Sequence, residues 1–400
     1  MKEETKVAII GGGIAAAGVA YAFKKRGMQA TIFESKPQVA EGASGNPIGL
    51  VYPFLTKQKT VESEFSIQAF LYFLEIWQKE KLDEKVLSKD GLYFLLHSES
   101  LRDRYQNAIL SHNLGEEIAY LKTEPKTNIL SIFYPKGKTI QPKEFTKALL
   151  VNSGAVIKAE EVCLRFEEAE DRVHLETHLK KYEFDFLFLC NSYSSLEFTD
   201  LNWIPSKKVR GQILILEEQI LNLPNSVLYG DYLSTPINGQ IVLGASYDEF
   251  RLDETSRTSD SQSLLEGTIP FSLFPNEILK SMRRNVENLQ TRVSFRHQSE
   301  DRRPILGSLC KTKDFLELAK MSEKKQGNPP PITHFDRIGV VLSLGSRGLT
   351  HSLLGGELTV SYLLGELKYE NSKRQLLESH LMDRFLLRMW KRGGLGLKKI

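Results

Sequence analysis

The first 34 residues constrain the fold of this chain more than any other segment. The apolar run Val7–Ile10 leads into Gly11-Gly12-Gly13, a helix-like stretch follows, and a second apolar run, Ala30–Phe33, ends at Glu34. This order is typical of a βαβ unit that binds a dinucleotide, because the glycines allow a sharp turn beside a pyrophosphate and the helix amides bind that anion. The acid can accept hydrogen bonds from a ribose. Glycine-rich turns also join strands to helices that bind nothing, and that alternative stays open. The predicted dinucleotide contacts are Gly11, Gly13, Ile14, Ala15 and Glu34.

Length and composition set the class of the protein. The 400 residues exceed one ordinary core and predict about two or three domains. Apolar residues make up 41% and charged residues 26%, as in soluble globular proteins. The three cysteines lie far apart, which predicts neither a disulfide framework nor a metal site. No apolar run approaches the roughly 20 residues of a membrane span, and no secretion signal precedes the first strand, so we expect a cytoplasmic protein without membrane contact.

Beyond the first βαβ segment, the pattern of apolar runs and glycines changes at two places. From residue 209 to about 295, short β-type runs alternate with glycine-rich turns, which predicts a mostly antiparallel sheet. From Ile338 an apolar run followed by a glycine loop returns to the nucleotide-binding pattern. The prediction is an α/β protein in which a Rossmann-type nucleotide-binding domain carries an inserted, mostly antiparallel β-sheet substrate domain. The predicted ranges are 1–80, 140–205 and 332–370 for the nucleotide-binding domain, 81–139 and 206–321 for the substrate domain, and 371–400 for a basic C-terminal segment.

Hydrophobic periodicity and turn residues also predict individual elements. The predicted helices are 62–79 and 141–150, and the predicted strands are 91–96, 184–190, 209–216, 226–230, 239–244 and 338–344. A linker is predicted over 322–331, where a polar run meets three consecutive prolines that cannot continue a helix.

The domain order favours FAD over NAD as the dinucleotide. The fingerprint lies at the start of the chain, and a second glycine loop leads into a helix about 330 residues later, after the inserted β domain. A flavin needs its pyrophosphate at one helix N-terminus, and a second helix dipole near its ring stabilises the anionic reduced form. The predicted residues of this second contact are Gly345, Ser346, Arg347, Gly348 and Leu349. A turn that only packs is the alternative for this loop.

Several stretches, taken together and in order, resemble one known family. They are residues 42–53, 209–212, 295–307, 344–349 and 380–388. The whole chain resembles the D-amino-acid oxidase and glycine oxidase superfamily of flavoproteins. Within it, these stretches look like the FAD-dependent oxidoreductase domain of the bifunctional tRNA 5-methylaminomethyl-2-thiouridine biosynthesis protein. The chain departs from that family by having no methyltransferase half ahead of Val7, by Leu189-Cys-Asn-Ser192 in place of an Ala-x-Gly turn, and by the arginine-rich segment Asp301–Pro304.

The resemblance implies oxidation of a secondary amine on tRNA. The family removes the carboxymethyl group from 5-carboxymethylaminomethyl-(2-thio)uridine at the wobble position. Hydride leaves the α-carbon for flavin N5, the imine hydrolyses, and glyoxylate departs to leave the aminomethyl nucleoside. On this expectation the chain performs the oxidation alone, with FAD as cofactor and tRNA as partner, and a separate methyltransferase would act on the product.

A substrate carboxylate calls for a guanidinium, whose planar fork binds it through two hydrogen bonds. Arg347 is the first candidate, because it projects between two glycines from the loop expected over the flavin. Arg296 is the second, with an ion pair to Asp301 as the alternative. Tyr52 and Tyr247 are candidates for the pocket wall, with core packing as the alternative.

The remaining cofactor contacts are predicted from short polar side chains and from the resemblance. Ser44, Gly45 and Asn46 suit the flavin edge. The superfamily binds adenine through backbone groups at the position that matches Val162. Hydride transfer needs no base, so His297 and His351 are left out of the catalytic set.

The last thirty residues are strongly basic, with eight lysines or arginines against two acids. A solvated tail is the ordinary explanation. The resemblance favours a tRNA-binding surface, because RNA binding needs several cationic contacts. Two other functions stay open. One is an FAD-dependent oxidase or dehydrogenase of free glycine, sarcosine or another small amino acid, and the other is a flavin- or tRNA-binding protein without turnover.

Overall fold

The computed structural model describes residues 5–266, 272–321, 328–367 and 372–392. The chain divides into two compact units, each assembled from separate segments. Unit 1 contains Met1–Glu41, Leu149–Lys207 and Arg296–Ile400, and unit 2 contains Gly42–Ala148 and Lys208–Phe295. Residues 42–80, assigned to the nucleotide-binding domain from the sequence, therefore lie in unit 2. The functional domain boundaries stay a prediction.

The secondary structure alternates helices and strands along the chain. In the described residues the strands are β1 (Val7–Ile10), β2 (Ala30–Phe33), β3 (Gly49–Val51), β4 (Ser88–Leu95), β5 (Tyr120–Thr123), β6 (Leu130–Ile140), β7 (Val156–Lys158), β8 (Cys163–Ala169), β9 (Arg172–Thr177), β10 (Lys181–Phe184), β11 (Phe186–Leu189), β12 (Ser206–Glu217), β13 (Ser226–Leu228), β14 (Tyr232–Leu233), β15 (Gln240–Gly244), β16 (Gln290–Ser299), β17 (Ile305–Cys310) and β18 (His334–Leu342). The helices are α1 (Ile14–Lys24), α2 (Val61–Lys79), α3 (Glu99–His112), α4 (Pro142–Ser153), α5 (Thr258–Glu266), α6 (Asn276–Arg284), α7 (Thr312–Met321), α8 (Gly348–Leu363), α9 (Ser372–Glu378) and α10 (Asp383–Lys391).

The centre of unit 1 is a six-stranded sheet in the order β17-β18-β11-β1-β2-β7. The strands from β18 to β7 pair in parallel, and β17 pairs antiparallel with β18 at one edge. All four residues of β1 are buried, as expected for an apolar run in the middle of a parallel sheet. This is the Rossmann-type architecture predicted from the fingerprint. A separate three-stranded antiparallel sheet, β8-β9-β10, belongs to the same unit and was not predicted.

Two helices of unit 1 cross with their backbones in contact. A Cβ on Gly18 of α1 would meet the carbonyl oxygen of Ser352 in α8, and a Cβ on Gly356 would lie 2.5 Å from the carbonyl carbon of Gly18. Only glycine allows this approach. At the start of the same two helices, a Cβ on Gly348 would lie 3.4 Å from Cγ2 of Ile14. The N-termini of α1 and α8 therefore lie side by side.

The last helix, α10, is part of the core of unit 1. Phe385, Leu386 and Trp390 are buried in one cluster with Ala8 and Ile10 of β1. Within the described part of the predicted basic segment, this helix is a packed element. Residues 393–400 of the predicted segment lie outside the described residues.

Unit 2 is built around a large sheet in the order β16-β12-β15-β14-β13-β4-β6-β3, with β5 paired to β6. From β12 to β3, and between β5 and β6, the pairings are antiparallel except β13 with β4, which are parallel. The mostly antiparallel sheet predicted from the short strands after residue 209 is confirmed. Leu214 and Leu243 of the sheet pack in one apolar cluster with Leu265 of α5.

The predicted elements lie within a few residues of observed ones. Thr60 caps α2 reciprocally with Ser63: the Thr60 hydroxyl accepts from the Ser63 amide and the Ser63 hydroxyl accepts from the Thr60 amide. Among the described residues, no helix has the length and apolar character needed to cross a bilayer. The predicted linker falls partly outside the described residues, and 328–331 are without regular structure.

Candidate functional site

The glycine turn after β1 leaves a helix N-terminus without a side-chain cap. Gly11 has φ +95°, and a Cβ there would lie 2.8 Å from Cα of Asn191, so this position needs glycine. Gly13 is the N-cap of α1, whose first turn carries no acidic residue and no side-chain cap. The first amides of a helix have no intrahelical acceptor. The turn therefore presents an anion site at Gly13, Ile14 and Ala15.

Glu34 lies at the end of β2 and holds the glycine turn in place. Its Oε2 accepts a hydrogen bond from the Gly12 amide at 2.6 Å, and its Oε1 accepts from the Lys36 amide at 2.9 Å. The side chain is half-buried. Carboxylate oxygens have about four acceptor sites between them. Glu34 can thus keep the turn and also accept from a ribose hydroxyl, as its spacing predicts.

The second predicted loop leads directly into α8. Gly345–Arg347 form a single 3-10 turn, and Arg347 is the N-cap of α8, whose first turn has no acidic residue and no side-chain cap. The positive end of this helix dipole lies beside that of α1, because Gly348 and Ile14 approach each other. The structure brings together the two halves of the predicted dinucleotide site that are about 330 residues apart in sequence.

Arg347 is half-buried next to a neutral histidine. His351, one turn further along α8, is buried. Burial and the adjacent Arg347 guanidinium hold the pKa of His351 well below its usual value. His351 therefore adds no positive charge at neutral pH, and Arg347 is the cation at this helix end.

Arg296 and His297 lie together on β16, in different surroundings. Arg296 is half-buried, whereas His297 is 3% exposed. Nε2 of His297 lies 2.8 Å from Oγ of Ser206 and 3.1 Å from Oγ of Ser343. Burial lowers the pKa of His297 to about 4. Its position is that of a neutral core histidine.

Asp301 is held by three other arginines. Its carboxylate pairs with Arg303 at 3.2 Å, with Arg384 at 2.9 Å and with Arg388 at 2.9 Å. Burial opposes its ionisation, but Arg384 and the neighbouring guanidiniums hold its pKa well below the usual range.

Val162 follows β7, and both of its backbone polar groups contact His178. The Val162 amide lies 3.1 Å from Nδ1 of His178, and its carbonyl accepts from the His178 amide at 3.1 Å. The carbonyl has a second lone pair, whereas the amide would have to exchange the imidazole for adenine. The adenine contact at Val162 stays a prediction.

The remaining predicted residues belong to unit 2. Ala43–Gly45 form a 3-10 turn that contains Ser44 and precedes Asn46, and all three predicted contacts are half-buried. The sequence-based prediction missed Arg292, which donates to the Gly42 carbonyl at 2.9 Å and to Oδ1 of Asn46 at 3.4 Å. Burial lowers the pKa of this guanidinium. The available signal was its spacing: Arg292 and Arg296 are four apart on β16 and so share one face of the strand.

The two predicted tyrosines differ in exposure. Tyr52 is half-buried, with its ring centroid 5.8 Å from that of Tyr134. Tyr247 is 52% exposed and donates from its hydroxyl to Oε1 of Glu249 at 2.7 Å. Neither position is the buried core site that was the alternative for both.

One cluster of metal-ligand types was not predicted. Cys310, His334 and Asp383 bring their ligand atoms within 4.8 Å of one another in unit 1. The His334 Nε2 atom lies 2.9 Å from Oδ1 of Asp383, and the Cys310 thiol donates to the same oxygen at 3.2 Å. Burial and Asp383 raise the pKa of this thiol. Two donors and one acceptor satisfy each other, so the cluster is a hydrogen-bonded clamp between β17, β18 and α10.

The residues of unit 1 fit FAD. A diphosphate is accommodated where the Gly11 turn has no Cβ and where α1 begins without a cap. Glu34 supplies a carboxylate beside that turn, and α8 presents a second uncapped N-terminus next to the first. A single nucleotide would need only the first helix end, and the second suits a larger group such as a flavin ring.

Comparison with known proteins agrees with this assignment. Residues 6–362 match the family model described as FAD dependent oxidoreductase, DAO. The chain is 28% identical over 379 residues to the tRNA 5-methylaminomethyl-2-thiouridine biosynthesis bifunctional protein MnmC of Leptospira interrogans, covering 90% of this chain and 57% of that protein. It is 29% identical over 404 residues to the protein of the same name from Leptospira borgpetersenii, covering 95% and 60%. The chain thus spans less than two thirds of the length of these relatives.

Solved structures show the same fold. The glycine oxidase of Bacillus cereus ATCC 14579 superposes with a TM-score of 0.71 at 18% identity, covering 94% of this chain and 98% of that one. The L-proline dehydrogenase of P. horikoshii gives a TM-score of 0.71 at 15% identity, with 97% and 99% covered. Because the family model matches residues 6–362, which is most of this chain, and both helix ends of the dinucleotide site are in place, the chain belongs to the family of FAD-dependent oxidoreductases and uses FAD as its cofactor.

Proposed function

We propose that this enzyme oxidatively removes the carboxymethyl group from 5-carboxymethylaminomethyl-(2-thio)uridine at the wobble position of tRNA. The observation that carries the proposal is the pairing of an FAD site with Arg347, a half-buried guanidinium at the N-terminus of α8. The names of the bifunctional relatives, which refer to biosynthesis of a modified tRNA uridine, support tRNA as the substrate. Such a reaction would take place in the cytoplasm, where tRNA is modified.

The reaction balances with FAD as the only oxidant. The bound flavin supplies the hydride acceptor. The substrate nitrogen keeps its bond to the nucleoside side chain while the carboxymethyl carbon gives up a hydride and the nitrogen gives up a proton, forming a C=N bond. Water adds to that carbon and the C–N bond breaks, so the products are the aminomethyl nucleoside and glyoxylate.

The chain's own residues would bind and orient. Gly13, Ile14 and Ala15 would hold the pyrophosphate with their amides, and Glu34 would fix a ribose. Arg347 would hold the substrate carboxylate in a two-pronged contact, which sets the reacting carbon in place.

The test is anaerobic reduction of the purified flavoprotein, followed by flavin absorbance. tRNA that carries carboxymethylaminomethyluridine should bleach the flavin and release glyoxylate, whereas glycine and sarcosine should not. Arg347→Ala should slow bleaching by about 100-fold, because a misplaced substrate loses that much in rate, while flavin content is unchanged. Arg165→Ala, which removes an exposed guanidinium from β8, is the matched control and should behave as wild type.

The alternative outcomes identify other functions. Bleaching by the free amines and not by tRNA would identify an oxidase or dehydrogenase of small amino acids. A flavoprotein that none of them bleaches would be a binding protein. Wild-type bleaching by Arg347→Ala would remove this residue from the substrate site.

A further inference from the structure

Two unusual sequence features of this chain meet in unit 1. One is the arginine-rich segment 301–304, and the other is the basic C-terminal segment, whose helix α10 begins at Asp383. They meet at Asp301, which pairs with Arg303 on its own loop and with Arg384 and Arg388 of the helix. We propose that this junction is a phosphate-binding surface for the tRNA backbone, an inference that rests on the proposed function.

The junction carries more positive charge than its acids can neutralise. Residues 300–303 and 383–392 contain six lysines or arginines and three acids. Asp301 shares its two oxygens among three guanidiniums. Burial lowers the pKa of Arg384, and the positive neighbours Arg303 and Arg388 oppose the stabilising effect of Asp301. A further anion at this place would therefore be attracted.

The arginines of the junction have different tasks. Arg384 uses its donors within the protein. Besides its pair with Asp301, it donates to the carbonyls of His380, Leu381, Arg303 and Pro304. Arg388 makes its pair with Asp301 while its side chain is 35% exposed. Arg302 is exposed and makes no side-chain hydrogen bond or ion pair with the residues that the structure describes.

Basic side chains continue along one face of α10. Arg384, Arg388, Lys391 and Arg392 follow each other at intervals of three or four residues, which places them along one side of a helix. Phe385, Leu386 and Trp390 bury the opposite face in the core. Lys391 and Arg392 are exposed. The helix thus presents a cationic stripe on a rigid support, which extends from the Arg302 loop.

This arrangement suits an RNA backbone better than a single small anion. Arginine recognises phosphate through paired donors, and several cations in a row match a chain of phosphates. Phosphate contacts position a nucleic acid without reading its sequence. The surface would serve to hold the tRNA, while the modified uridine is recognised elsewhere.

Two charge-matched triple variants test the surface. The first replaces Arg302, Lys391 and Arg392 by glutamine, and the second, the control, replaces Lys180, Lys181 and Lys313, which are exposed elsewhere on unit 1. The dissociation constant of the tRNA is measured across a series of salt concentrations. Anaerobic flavin bleaching by the free modified nucleoside, which has no phosphate, is measured in parallel.

The first variant should bind tRNA at least about 10-fold more weakly than wild type in moderate salt. The slope of its plot of log affinity against log salt concentration should be smaller in magnitude by about 2 to 3. Each lost phosphate contact reduces that slope by about 0.7 to 0.9. Bleaching by the nucleoside should be unchanged, and the control should match wild type in every assay. Equal affinity and slope for the two variants would overturn the surface, even if wild-type bleaching by tRNA stands. If tRNA fails to bleach the wild-type flavin while the two variants still differ in tRNA affinity, the proposed function is contradicted and the binding surface is not.

Discussion

His297 lies beside a candidate substrate-binding residue, yet its surroundings are those of a structural core residue. It lies in a segment that resembles the family, next to the candidate Arg296. In the structure it is buried beside the hydroxyls of Ser206 and Ser343, and its ring is nearly perpendicular to that of Tyr193 at a centroid distance of 5.6 Å. Burial favours the neutral imidazole over the charged one at this site.

The buried imidazole should make stability depend on pH. The folded-state pKa of His297, about 4, is below the usual 6.5. The unfolded chain therefore binds the proton first, and the stabilisation is complete above pH 6.5 and is lost as the pH falls toward 4. A shift of this size is worth about 3 kcal/mol. The free energy of unfolding of wild type minus that of His297→Gln should shrink over this window.

The control for this measurement is the exposed His174 on β9. His174→Gln should follow the wild-type pH curve. A constant difference between wild type and His297→Gln from pH 7 to pH 4 would contradict a neutral buried histidine.

Residues with a fixed local pattern could be predicted from the sequence, and those that depend on long-range contacts could not. Gly11 and Glu34 belong to a motif with defined spacing, and the structure puts them in the predicted turn. The clamp between Cys310, His334 and Asp383 joins residues up to 73 apart. No local periodicity signals such a contact. Arg292 was missed because its spacing from Arg296 becomes a signal only once both are assigned to one strand, and β16 was not among the predicted strands.

At the scale of elements, the crossing of α1 and α8 sets the positions of both helix ends. Gly18 and Gly356 let the two backbones touch, and the helices then begin side by side at Ile14 and Gly348. A shift of either helix would separate the two anion-binding ends. The crossing is therefore a part of the flavin site, although neither glycine would contact the cofactor.

Two neighbouring glycines of α8 offer a matched test of this crossing. Gly356→Ala would put a Cβ against the backbone of Gly18, which cannot move aside. This variant should lose about 1 to 3 kcal/mol of stability and should also retain less flavin. Gly355→Ala would meet only side-chain atoms, the nearest being the end of the Leu306 side chain at 3.1 Å, which can move by a few tenths of an ångström. Thermal unfolding and the ratio of flavin to protein absorbance check both. Equal losses in the two variants would contradict the close backbone crossing.

The sequence predicted strands of central, apolar type better than the remaining elements. β11 and β18 were expected because continuous apolar runs are typical of parallel strands buried on both faces. The three-stranded sheet β8-β9-β10 was missed, since its strands mix charged and apolar residues and are largely exposed on one side. The packing of α10 was missed because the charge of its segment suggested a solvated tail.

At the scale of the whole molecule, the two faces of α10 should separate stability from binding. Phe385 is 1% exposed in the core of unit 1, so Phe385→Ala should cost about 3 to 5 kcal/mol. Lys391→Ala, on the exposed face of the same helix, should change stability by less than about 0.5 kcal/mol. Denaturant unfolding measures both. A small effect of Phe385→Ala would mean that the helix is dispensable for the fold.

The shared core of β1 and α10 also determines the point during synthesis at which unit 1 can complete its folding. Ala8 and Ile10 are synthesised long before Phe385 and Trp390, yet all four pack in one cluster. Unit 2 has all its segments by residue 295, whereas unit 1 is incomplete until α10 has emerged. The nascent chain therefore contains the dinucleotide fingerprint long before unit 1, which holds the predicted flavin site, can fold completely. Stable binding of FAD is therefore expected only after α10 has been synthesised and has packed against β1.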